Sequence, residues 1–335
     1  MPPVHLRRVA LGAWPTPLQS APRLAEALGR ALYVKRDDLS GIGGGGNKVR
    51  KLEFQLARAL EERSTHVITC GAMQSNHAHL TAAAARRCGL QPVLVLARGE
   101  DGSRLLGGNL LLDRLMDAEV HAITPPSGQS RLEALNRGME EVAEAIAHRG
   151  GRPYIVPEGG TDALGSVGYA LAVEELRDQL AALPGPPRRP LLVLATGTCG
   201  THAGLLAGAR RIGVGLDVLG MSISGDTAVK REKTAKLATE TLALLGHPGG
   251  VLAEEVRIDD GAKGPGYAVP TAECRKAIRL AARTEGLFLD PVYTGKALAG
   301  LLRLAGAGRL APHDAVIFLH TGGFPLLFVP DMEVL

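Results

Sequence analysis

Short apolar runs alternate along the chain with longer stretches in which apolar residues recur every three or four positions. The runs at 32–35, 66–70, 92–97, 119–123, 154–156, 191–195, 217–223 and 315–319 predict strands. The stretches at 48–62, 76–88, 109–116, 131–148, 164–183, 202–212, 227–245, 271–284 and 296–305 predict helices. Regular alternation of the two implies βαβ units and largely parallel sheets. The strand runs are apolar on consecutive positions, as expected where helices cover both faces of a sheet. The expected class is therefore α/β, with open, twisted, mostly parallel sheets and helices on both faces. Two breaker clusters, LPGPPRRP at 183–190 and DDGAKGPGYAVP at 259–270, mark exposed loops or linkers and point to two lobes.

Composition adds bounds. The chain has 335 residues, enough for one large or two medium domains with a real core. Hydrophobic residues make up 45% and charged residues 21%, the balance of an ordinary globular protein. Aromatics are only 3%, so Leu, Ala, Val and Ile must fill the core. The formal net charge is +4, with basic residues dispersed among acids, so a nucleic-acid surface is not indicated. Cys70, Cys88, Cys199 and Cys274 form no CxxC pair, which argues against a zinc or dithiol site and for a reducing, cytoplasmic setting. The first 20 residues do not read as a signal peptide, and no run of ~20 apolar residues is present to span a membrane.

The unusual residues gather where strands pass into helices, the place where open α/β sheets bind ligands. In GIGGGGNKVRKLEF, glycines 43–46 permit a close backbone approach or flexing, and Asn47 can cap the next helix. Lys48 and Lys51 share one face of that helix's first turn. Cations there oppose the helix dipole, so they imply an anionic or carbonyl ligand unless they merely form a solvated basic face. The phosphate-loop pattern GxxxxGK[ST] is not matched. In CGAMQSNHAH, Gln74, Ser75, Asn76 and His77 begin a helix whose N–H groups suit a carboxylate or phosphate, or a simple cap. His77 and His79 are two apart, which is not helical spacing for one metal, and no metal site is expected. In ATGTCGTHAG, the loop Thr196, Gly197, Thr198, Cys199, Gly200 and Thr201 suits a single phosphate better than a dinucleotide. Tyr293 and Thr294 precede another helix, Thr321 follows the last strand, and Tyr267 sits in the Gly/Pro-rich loop. Each of these hydroxyls taken singly could be structural.

Taken together, these junctions make the chain resemble the 1-aminocyclopropane-1-carboxylate deaminase / D-cysteine desulfhydrase family. Its members are fold-type II pyridoxal-phosphate (PLP) enzymes, related in fold to the tryptophan synthase β subunit. The resemblance runs from PTPL at 15–18 through VKRDD at 34–38 to HTGG at 320–323. It rests on GGNKxRKLEF, QSNH, GTHAG, PGYxVP and DPVYTGKAxAGL occurring in that order.

The resemblance implies roles by position. Lys48 matches the lysine that holds PLP as a Schiff base. Lys51 matches a lysine on the cofactor phosphate, beside the loop 196–201. Asn76 matches the asparagine on the 3′-oxygen of the ring. Gln74, Ser75 and His77 match the substrate-carboxylate loop, which Asn76 shares. Tyr267 and Tyr293 match two active-site tyrosines. Lys48, Tyr293 and Ser75 are the expected catalytic residues. Thr294 and Thr321 are expected near the cofactor, where the deaminases resembling this chain carry Glu and Leu. The pair of threonines implies α,β-elimination on a small β-substituted amino acid, D-cysteine above all, to hydrogen sulfide, ammonia and pyruvate. The alternatives are cyclopropane ring-opening deamination, L-cysteate sulfo-lyase activity and a non-catalytic PLP carrier. A large domain of residues 1–50 with 160–335, a smaller one of 51–159, a cleft site between them and a homodimer are also implied. Departures from the family pattern are the longer glycine run, Cys199 in the phosphate loop, and Phe324 where Ala is commoner.

Overall fold

The computed structural model describes residues 6–98 and 106–330. Ten strands and ten α-helices follow one another along these residues. They are β1 (Leu18–Ser20), α1 (Pro22–Leu28), β2 (Ala31–Lys35), α2 (Lys48–Glu61), β3 (His66–Ala72), α3 (Asn76–Arg87), β4 (Gln91–Ala97), α4 (Gly108–Leu115), β5 (Glu119–Ile123), α5 (Arg131–His148) and β6 (Pro153–Ile155). The second half holds α6 (Ala163–Ala181), β7 (Pro190–Thr196), α7 (Gly200–Ile212), β8 (Asp217–Ser222), α8 (Thr227–Leu244), β9 (Arg257–Asp259), α9 (Ala272–Glu285), α10 (Thr294–Gly306) and β10 (Ala315–Leu319). The strands form two sheets. One has the order β1-β2-β10-β7-β8-β9 and the other β5-β4-β3-β6. Every pairing is parallel except β1 with β2.

Burial of both sheet faces explains the unbroken apolar runs. Successive side chains of a strand point to opposite faces. Leu191, Val193, Val316 and Phe318 pack toward α9 and α10, while Leu192, Leu194, Ile317 and Leu319 pack toward α6 and α7. The smaller sheet repeats the device. Val93 and Val95 face Leu135 and Met139 of α5, and Leu94 and Leu96 face Ala78 and Ala82 of α3.

The expected strands and helices all form, with ends shifted by one or two residues. Three short elements escaped the pattern: β1, α1 and β9. The sequences LQS and RID are too short and too polar to show a period, and these edge strands exist by pairing to a neighbour. Helix α1 is a single seven-residue stretch that begins at Pro22 and stops at Gly29.

Helix α2 carries the two lysines and is fixed on two sides. Val49, Leu52, Leu56 and Ala59, spaced for one helical face, pack on Val67, Leu80 and Ala84. On another face Arg50 donates to Asp37 Oδ2 at 2.8 Å and Oδ1 at 2.9 Å, and to both Glu175 oxygens at 2.9 Å. Asp37 also accepts from Thr16 at 2.7 Å and Tyr169 at 2.5 Å, and Lys35 adds a second cation on Glu175. Burial alone would raise the Asp37 carboxyl, but Arg50, Tyr169 and Thr16 outweigh it and hold it below the usual range.

Candidate active site

The carboxyl ends of β3, β6, β7, β8 and β10 converge with the N-termini of α2, α3, α5 and α7 on one cavity of about 230 Å³. Both sheets contribute, so the two halves of the fold meet here. Lys48 lines it as the first residue of α2 and is half-buried. Burial of its amine lowers the pKa to about 8, with the Glu158 carboxylate pulling weakly the other way. Lys51, one turn on, is fully buried and sits behind the cavity wall. Its Nζ donates to the Gly159 carbonyl at 3.0 Å. Burial first, and then the neighbouring Lys48 charge, hold it well below the ordinary lysine value.

The glycine run does not touch the cavity. Glycines 43–46 all have positive φ, between 61° and 144°, which side-chain-bearing residues rarely adopt. The turn is stapled rather than loose. Gly43 accepts from His79 Nε2 at 2.7 Å, and Gly46 N donates to Ser40 Oγ at 2.9 Å. Asn47, expected as a helix cap, instead lines the cavity and donates to Thr201 Oγ1 at 3.0 Å.

Opposite Lys48, strand β7 ends at Thr196, and the loop Gly197, Thr198, Cys199 turns into α7 at Gly200 and Thr201. Cys199 adopts φ 78°, a sparsely populated conformation for a residue with a side chain. Among the described residues no side chain caps α7. Its first N–H groups have no partner inside the helix, and its dipole end is positive. A Cβ on Gly200 would lie 2.7 Å from Lys51 Nζ, so only glycine lets that amine approach the turn. A bare helix N-terminus backed by a buried lysine is an anion site.

The third wall comes from α3. Ser75 Oγ caps it, accepting from Ala78 N at 3.2 Å, which leaves the hydroxyl proton free for the cavity. Asn76 lines the cavity and accepts at Oδ1 from Asn109 at 2.6 Å. His77 also lines it. Thr69 donates its one proton to the Val156 carbonyl at 2.8 Å, so it must accept from His77 Nε2 at 2.7 Å. That assigns the tautomer and leaves His77 Nδ1 a lone-pair atom, buried and, among the described residues, without a hydrogen-bond donor. Burial and the two lysines keep this ring neutral. On the last wall Tyr267 and Tyr293 join their hydroxyls at 2.5 Å, and Thr321 lines the end of β10. Burial pushes the Tyr293 phenol well up, so it keeps its proton at neutral pH.

Two expected residues stand elsewhere. Gln74 turns away and caps α4, accepting from Asn109 N at 2.9 Å and donating to the Gly107 carbonyl at 3.1 Å. Thr294 is fully buried behind the wall. Its hydroxyl donates to Asp290 Oδ2 at 2.6 Å and accepts from Asp290 N at 2.8 Å. Sequence reasoning also missed Arg131 and Glu158, which line the cavity joined at 2.5 Å. The strand-glycine-helix signal that singled out Lys48 and Thr196 is present at Pro157–Gly160 too, after β6.

The geometry fits a phosphorylated aldehyde. Lys48 offers an amine titrating near 8, and the α7 N-terminus with Lys51 offers a phosphate seat. Asn76 and Thr321 add polar side chains to the same lining. The comparisons agree. A family described as "Pyridoxal-phosphate dependent enzyme" matches residues 9–322. The chain is 43% identical to a Pyrococcus abyssi protein named "Putative 1-aminocyclopropane-1-carboxylate deaminase", over 98% of this chain and 95% of that one. It is 38% identical to a D-cysteine desulfhydrase of Salmonella choleraesuis, over 98% of each. A crystal structure of an ACC deaminase homologue superposes with a TM-score of 0.87 at 36% identity, covering 98% of this chain and 96% of that one. Lysine, phosphate seat and full-length similarity coincide, and the chain belongs to the pyridoxal-phosphate dependent enzymes, in the branch that contains ACC deaminases and D-cysteine desulfhydrases.

Proposed function

We propose that this lyase carries out α,β-elimination on a small β-substituted amino acid, D-cysteine foremost, releasing hydrogen sulfide, ammonia and pyruvate. The observation that carries the reading is the polarity of the wall at Thr321. Thr321, whose side chain is a neutral hydroxyl, lines the cavity there, while the Asp290 carboxylate is spent on Val292 N, Tyr293 N and Thr294. A ring nitrogen seated beside Thr321 would have no carboxylate to hold a proton on it, which would favour prompt loss of a β-substituent over racemisation. Bound PLP supplies the electron withdrawal that loosens the Cα proton.

The chain's own residues do the rest. The α3 N-terminus and the Ser75 hydroxyl hold the substrate carboxylate. Lys48 would take the Cα proton at Nζ. With a pKa of about 8, roughly a tenth of it is free base at pH 7, far more than for an ordinary lysine. Tyr293, its hydroxyl aligned by Tyr267, gives a proton to the departing sulfur. Asn76 and Thr321 would orient the ring, and Lys51 with the loop 196–201 would seat the phosphate.

The test is product formation by the PLP-loaded protein. Sulfide and pyruvate from D-cysteine, and little from L-cysteine, support the reading. Ketoacid only from the cyclopropane substrate would favour ring-opening deamination, the activity in the Pyrococcus relative's name. Pyruvate only from L-cysteate would favour a sulfo-lyase, and no product from any of them a carrier. The same reading places the large domain at 1–50 with 160–335 and the small one at 51–159. The strands of the two sheets fall on the two sides of that division. Among the described residues no helix is long and apolar enough to cross a membrane. A cytoplasmic homodimer completes the proposal. The exposed Leu111, Leu115, Phe324 and Phe328, which border one shallow groove, offer an apolar face for a second copy.

A further inference from the structure

We infer that Asn109 is a positioning residue: it fixes the amide of Asn76 so that this side chain presents N–H groups, and not an oxygen, to the cavity. Asn109 is the second residue of α4, fully buried and outside the cavity lining. Its Nδ2 donates to the Gln74 main-chain carbonyl at 3.0 Å and to Asn76 Oδ1 at 2.6 Å.

The direction of each bond follows from a chain of necessity. A main-chain carbonyl can only accept, so the Asn109 group that faces Gln74 O must be the NH2. Its second hydrogen then goes to Asn76, and the Asn76 atom that receives it must be Oδ1. With Oδ1 engaged, Asn76 Nδ2 keeps its hydrogens for the cavity it lines. The arrangement has a visible cost. Among the described residues, the buried Asn109 Oδ1 has no partner. Flipping the amide would set that oxygen against two acceptors at once, which is worse. The start of α4 is itself held in register, because Gln74 Oε1 accepts from Asn109 N at 2.9 Å. Gln74, Asn76 and Asn109 thus form one unit in which a backbone carbonyl dictates the polarity of an active-site amide.

The consequence for the cofactor rests on the reading above, in which Asn76 meets the ring oxygen of PLP. That oxygen is an anionic acceptor, so a donor binds it and an amide oxygen repels it. The experiment titrates cofactor-free protein with PLP and with its 3-deoxy analogue, which lacks the ring oxygen, using Asn76→Ala, Asn109→Asp and the double variant. Asn109→Asp should weaken PLP binding about 10- to 100-fold and leave the deoxy analogue nearly unaffected. It should add nothing in the Asn76→Ala background. Equal weakening for both cofactors, or additive losses, would overturn the inference. If Asn76→Ala itself fails to distinguish the two cofactors, the reading of Asn76 falls first, and the role of Asn109 falls with it. Circular dichroism checks the fold. Should Asn109→Asp not fold, Asn109→Ser keeps a donor for Gln74 O but cannot reach both acceptors, and the same titration decides.

Discussion

Helix α2 carries buried cations on two faces, and they live in opposite conditions. On one face Arg50 is matched by Asp37 and Glu175, with its guanidinium also stacked 3.9 Å over the Trp14 ring. On the other, among the described residues, Lys51 has one carbonyl and an attraction from Asp162 that burial outweighs, and the Lys48 amine has only the weak, opposing pull of Glu158. The first arrangement raises the arginine's already high pKa despite burial, and the second lowers both lysines. A buried charge costs several kcal/mol unless it is paired. The chain meets that cost in full at Arg50 and leaves it unmet at the lysines. The unmet side is where a phosphate and an aldehyde complete the electrostatics. Stability and function are therefore divided between two faces of one helix.

The comparison breaks most directly at Lys48. Lys48→Ala should lower turnover by about 10²–10⁴-fold or more and abolish the visible band of lysine-bound PLP. Borohydride treatment and absorption spectra check it. Thermal unfolding of the cofactor-free variant should not suffer. The folded pKa lies below the ordinary value, so keeping Lys48 buried disfavours folding most below pH 8, and less as pH rises from 8 to 10.5. The variant's gain in melting temperature should therefore shrink over that window.

Arg50→Ala is the opposite case. It strands Asp37 and Glu175 without their cation and should cost about 3–5 kcal/mol in denaturant unfolding. A loss smaller than about 1 kcal/mol would mean that this face is no better matched than the other. Lys51→Met should behave as a site substitution. Cofactor-free protein should be at least as stable as the parent, while PLP binding weakens by about 1.5–3 kcal/mol, the worth of a bond to a charged group. Lys51→Arg, too large for the Gly200 turn, should not rescue it. The smallest effect is a shape. Capture of PLP by the cofactor-free protein should accelerate about tenfold per pH unit below 8 and level off above it. An acceleration that continues toward 10.5 would remove the argument for a desolvated Lys48.

Much of this was legible in the residues. Unbroken apolar runs and the period-3.6 pattern reflect burial and are local, so eight strands and nine helices could be read without tertiary knowledge, whereas β1 and β9 depend on partners. The junctions at 41–54, 70–79 and 195–204 were legible because glycines and hydroxyls between a strand and a helix have few other uses. Contacts across the chain were not legible. Gln74 read as a substrate contact, yet it caps a helix that begins 34 residues later. Thr294 read as a cofactor contact, yet its hydroxyl is satisfied by Asp290.

Lys48 shows where the boundary lies. The sequence by itself determined that a lysine follows a turn which glycine alone can make and begins an amphipathic helix, because steric limits on φ and the helical period act within a few residues. Only the tertiary structure decided that Lys48 would lose its water and Arg50 would keep its partners. It also decided that Arg131 would meet Glu158, 27 residues on, and that Asn47 would meet Thr201, 154 residues on. Desolvation and hydrogen-bond satisfaction depend on which distant groups arrive, and that is settled only when two sheets close on one cavity.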